Sequence, residues 1–96
     1  MKLRWTRLAL ADFLGAQEHI AKDNPLVAQA VAQRIDEAAR GLLDQPHMGR
    51  LGHIEGTREQ VVSKTPYLIV YRVHGPEIEL LRIWHGRQDW QNPLDR

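Results

Sequence analysis

The sequence contains no cysteine, which excludes a disulfide framework and any cysteine-ligated zinc or iron–sulfur centre. That absence suits a reducing cytoplasm, the expected compartment. No apolar run approaches the ~18 residues needed to span a bilayer, so no membrane partner is expected. The basic start Met1–Trp5 has no apolar stretch behind it, so no signal peptide is expected either. Charge of one sign is also lacking. A formal net charge of +1 and a pI near 8.2 give no global basic field for nucleic acid, although a local arginine cluster can still hold a polyanion.

Several catalytic signatures are missing too. There is no phosphate-loop glycine pattern, no paired-carboxylate signature of a glycosidase and no nucleophile elbow around Ser63. His19, His47, His53 and His74 share no metal-ligand spacing, so neither a metal nor another cofactor is expected.

What is present reads as one small globular domain over residues 1–96, with 43% apolar and 26% charged residues. Lys2 to Trp5 is a short strand. Thr6 offers an N-cap hydroxyl, and Leu10, Phe13, Leu14, Ile20 and Ala21 then follow helical spacing until Lys22-Asp23-Asn24 breaks it. Asn24 and Pro25 open a second helix expected to run to about Asp44, stopping before Pro46. Its apolar stripe is Val27, Ala28, Val31, Ile35, Ala38, Ala39 and Leu42. The short connection predicts an antiparallel helical hairpin.

Pro46 to Gly56 reads as a loop, Thr57 to Ser63 as a strand, and Tyr67 to Val73 as a central strand, apolar on both faces except at Arg72. Glu77 to His85 pairs with it across His74-Gly75-Pro76. The order β-α-α-β-β-β defines an α+β fold, a small, mostly antiparallel sheet packed against a helical hairpin.

Arg58, Arg72 and Arg82 on adjacent strands suggest a polar sheet side that meets a partner, by phosphate clamping or by simple pairing with Glu59, Glu77 and Glu79. His85 is the candidate proton carrier. A two-residue turn at Gly75-Pro76 would set Arg72 opposite Glu79 and on one face with His85, whereas a three-residue loop would set it with Arg82 and Trp84. Trp84 and Trp90 are candidate aromatic anchors for a partner.

In order along the chain, these features resemble the RelE/ParE superfamily of toxins from bacterial type II toxin–antitoxin systems. The resemblance rests on Trp5-Thr6 with Ala9 and Asp12, Asp23-Asn24-Pro25, Pro46 with Gly49-Arg50, and Gly56-Thr57-Arg58-Glu59. It continues through Pro66 to Val73, Ile78, Leu80-Leu81-Arg82-Ile83, and His85 with Arg87 and Trp90. It implies a growth-inhibiting toxin neutralised by a cognate antitoxin, whose disordered segment folds onto it. Operator DNA would be reached only through that antitoxin.

The superfamily divides between gyrase poisons of the ParE type and RelE-like endoribonucleases that cut mRNA on the ribosome. In the nuclease alternative, Arg58, Glu59, Arg72, Arg82 and His85 stand at the matching strand positions. The loop here offers only His47, Arg50 and His53 instead of a lysine-rich run, and no tyrosine lies beside His85. The ParE reading, a non-enzymatic inhibitor of DNA gyrase, is therefore favoured, with Trp84, Arg87 and Trp90 as candidate antitoxin- or target-binding residues.

Overall fold

The computed structural model describes residues 1–86. The elements are β1 (Lys2–Trp5), α1 (Arg7–Ala21), α2 (Pro25–Gly41), β2 (Arg50–Leu51), β3 (Arg58–Val61), β4 (Tyr67–His74) and β5 (Glu77–His85). The strands form one sheet in the order β1-β5-β4-β3-β2, antiparallel throughout except for the parallel β1–β5 pair. The expected α+β architecture is the one observed, with β4 at the centre of the sheet.

Local chemistry sets where the helices begin. Thr6 caps α1 by accepting from the Ala9 N–H, while its own hydroxyl donates to the Leu80 carbonyl at 2.6 Å. One residue thus starts the helix and ties it to β5 where the β1 ladder ends. Asn24 caps α2 through Oδ1, which accepts from the Val27 N–H, and Pro25 takes the first helical position. The helix ends at Gly41, three residues before the expected Asp44, in turns bonded from Leu43 N–H to the Arg40 carbonyl and from Asp44 N–H to the Gly41 carbonyl.

The core lies between the hairpin and the inner sheet face. Ala9, Ile35 and Ala39 from the helices and Leu42 just past α2 meet Ile69, Tyr71, Ile78, Leu80 and Ile83 from the strands, all buried. Each large aliphatic side chain there stabilises the fold by about 1.5–3 kcal/mol. The stripe expected on α1 is only partly covered. Phe13 packs against the core, but Leu10 and Leu14 stay 45% and 53% exposed. Ala9 is the buried residue of α1, so the helix turns its small side chain rather than its leucines inward.

Two corrections concern the sheet. The Pro46–Gly56 segment is not wholly loop: Arg50 and Leu51 form β2, opposite Glu59 and Arg58. Two residues are too few to show a periodicity. The second correction concerns faces. The Gly75-Pro76 turn has two residues, with Gly75 at φ +58°, and Arg72 lies opposite Glu79. A register shift between Val70 and Tyr71 then skips Leu81, so that Val70 opposes Arg82 and Tyr67 opposes His85. One bulged residue inverts every face beyond it. Arg72 therefore shares the outer face with Arg82 and Trp84, and His85 falls on the inner one.

Candidate functional site

The sheet face away from the helices carries two buried carboxylates, each gripped by cations. Glu79, 4% exposed, accepts from Arg72 Nε at 2.5 Å and is paired with Arg4, which also approaches Glu77 at 3.7 Å. Glu59, 2% exposed, accepts from Arg50 Nη2 at 3.2 Å and from the His53 backbone N–H at 3.0 Å, with His53 Nδ1 at 2.8 Å. Burial pushes the Glu59 carboxyl up. The side-chain and backbone hydrogen bonds of His53, its charge and the Arg50 guanidinium outweigh that push, and the group ends below its ordinary value of 4.5.

Between the two clusters, Leu68, Val70 and Trp84 form a small buried apolar group, with Ile54 and Leu81 packed against it. Trp84 is 1% exposed, which corrects its expected place on a partner-binding surface: the bulge turns the ring into this cluster. The Arg82 guanidinium sits 5.8 Å from the Trp84 ring centroid. Its Nε and Nη2 donate in a fork to the Asp12 carboxylate at 2.7 and 3.0 Å, and the same carboxylate accepts from the Ile83 N–H. Asp12 on α1 thus satisfies the stretch of β5 that extends beyond β1.

The five positions matched to ribonuclease groups are not brought together. Glu59 and Arg72 lie on the outer face in separate ion pairs, and Arg82 is bound to Asp12. His85 stacks edge-on to Tyr67 at 5.7 Å on the inner side. Arg58 lies opposite Tyr71 and donates from Nη1 to the carbonyls of His47 and Gly49 at 3.3 and 2.9 Å. Arg87 and Trp90 lie outside the described residues.

Sequence reasoning missed Arg4 as a member of the outer face, although the alternation Lys2-Leu3-Arg4-Trp5 carries that signal. It also missed His53 as the partner of Glu59, for which a loop offers no periodic cue. Among the described residues, no cluster of three or more His, Asp or Glu is placed to hold a metal ion, and no helix is long and apolar enough to cross a membrane.

A helical hairpin laid on one face of this five-stranded sheet, with an ion-paired opposite face, is the architecture expected of the RelE/ParE superfamily. Residues 3–90 match the family described as ParE toxin of type II toxin–antitoxin system, parDE, and the chain belongs to that family. It is 40% identical over 95 residues to the protein of Sinorhizobium fredii named "Putative toxin Y4kP", covering 97% of this chain and 96% of that one. It is 37% identical over 82 residues to the toxin RelE2 of Caulobacter vibrioides, covering 85% and 91%. Among solved structures, a chain of the chromosomal ParDE toxin–antitoxin system from P. aeruginosa superposes with a TM-score of 0.80 at 32% identity, covering 88% of this chain and 95% of that one.

Proposed function

We propose that this ParE-type toxin inhibits DNA gyrase by binding it, in the cytoplasm, and is neutralised by a cognate antitoxin that folds across its exposed apolar residues. The observation that carries the reading is the dispersal of Arg58, Glu59, Arg72, Arg82 and His85 over two faces and separate bonds. Phosphodiester cleavage needs an acid, a base and a cationic clamp around one phosphate. Here Arg72 and Arg82 neutralise carboxylates instead and Arg58 serves two carbonyls, and an ion-paired, rigid face is suited to docking.

The antitoxin would cover Leu10 and Leu14 on α1 and Leu26 and Val27 at the start of α2, all at least 45% exposed. Exposed apolar residues on a hairpin are what a disordered segment can fold onto. The test compares gyrase supercoiling with in-vitro translation at equal toxin concentration. Loss of supercoiling with unimpaired translation is expected. Blocked translation with normal supercoiling would overturn the reading in favour of the ribosome-dependent nuclease.

A further inference from the structure

Four arginines of the sheet and its edges face carboxylates: Arg4, Arg50, Arg72 and Arg82. Arg58 is different. Among the described residues its only bonds run from Nη1 to two carbonyls, which leaves Nε and Nη2 and the whole charge uncompensated. It lines a cavity of about 230 Å³ walled by His47, Leu51, Gly56, Thr57 and Val73. Two carbonyls can be served by a neutral donor, so a half-buried cation without a counter-ion among the described residues is more than a strap for the loop. Beside the cavity, β2 is the last strand of the sheet among the described residues, and Leu51 is 77% exposed.

We infer that this cavity receives an aspartate or glutamate side chain from the antitoxin, whose chain runs extended along the β2 edge. The inference rests on the antitoxin reading above and names one anchor of that contact. The chemistry favours a single carboxylate. One guanidinium is flanked by two apolar side chains, Leu51 and Val73, and offers a forked donor pair. A nucleic-acid backbone presents phosphates in series and is held by several cations, whereas this cavity has one and the chain carries a net charge of +1. An exposed strand edge supplies the backbone hydrogen bonds that hold an extended peptide in register.

The test measures antitoxin affinity for the full-length toxin and three variants. Arg58→Gln removes the charge, and Arg58→Lys keeps it without the fork. Leu51→Glu places a carboxylate directly opposite Arg58 in the strand register and neutralises it from within, leaving both carbonyl bonds in place. Arg58→Gln and Leu51→Glu should each weaken binding about tenfold or more, with Arg58→Lys in between. Leu51→Glu should also flatten the salt dependence of binding while keeping the thermal midpoint of the parent. Parent-like affinity in Leu51→Glu and Arg58→Gln, beside clear loss in Leu14→Asp, would overturn the cavity contact alone. No binding by the parent would overturn the antitoxin reading with it. Weakened binding of a single-stranded oligouridine probe in these variants, with antitoxin affinity intact, would give the cavity to nucleic acid and overturn the proposal.

Discussion

Asp12 is the residue on which one edge of the sheet depends. Its carboxylate holds the nearly buried Arg82 in a fork and also accepts the Ile83 N–H. Asp12→Ala would strand a buried guanidinium, and a loss of about 3–5 kcal/mol is expected in urea denaturation. Asp12→Asn should cost less, because a carbonyl oxygen can still accept from Ile83 or Arg82. Glu59 offers a test in pH. Its folded carboxyl titrates below the ordinary 4.5, so its contribution is full above that value and is lost as pH falls through the folded one. The acid limb of a thermal-midpoint profile below about pH 4.5 should therefore be shallower in Glu59→Gln than in the parent, with the variant less stable at neutral pH. The arginines and the Arg72–Glu79 pairing were legible in the sequence, but the partner of Arg82 was not. Arg82 and Asp12 are 70 positions apart, and only the packing of α1 beside β5 joins them.

At the scale of elements, the caps and the turn were the most legible parts. Thr6, Asn24 with Pro25, and Gly75-Pro76 act within three or four residues of themselves, so local chemistry suffices to place them, although the sequence left the turn open between two and three residues. Asn24→Ala should lower stability by about 1 kcal/mol, read as a drop in thermal midpoint, because the Val27 N–H loses its side-chain acceptor. The bulge at Leu81 is the opposite case. Nothing in Leu80-Leu81-Arg82 distinguishes a regular strand from one with an extra residue, since Leu80 and Ile83 are both inward and both apolar. Its consequence is large: the turn follows the register that would unite Arg72 with His85, and the bulge separates them again. A tight contact fixes β2 near its end. The Tyr71 hydroxyl accepts from the Gly49 N–H and donates to the Pro46 carbonyl, and a Cβ on Gly49 would come within 2.8 Å of the tyrosine ring. A single glycine before Arg50 gives no hint of that partner.

At the scale of the whole molecule, the sheet has two unlike faces and the hairpin keeps several apolar side chains exposed. The inner face is a continuous apolar core, whereas the outer one is a short apolar island between two ion-pair clusters. Leu14→Asp should leave the unfolding midpoint nearly unchanged, since Leu14 is 53% exposed, while lowering antitoxin affinity at least about tenfold. By itself the sequence determined the α+β class, the helical hairpin, the central place of β4 and the ParE-type family. These follow from periodicity, capping and turn chemistry, whose range is a few residues, and from an ordered set of motifs along the chain. Only the tertiary structure decided which side each charge faces. One bulged residue and the approach of α1 to the β5 edge assign Arg72, Arg82, Trp84 and His85 to their surroundings. Both depend on contacts between distant segments, which no local pattern records.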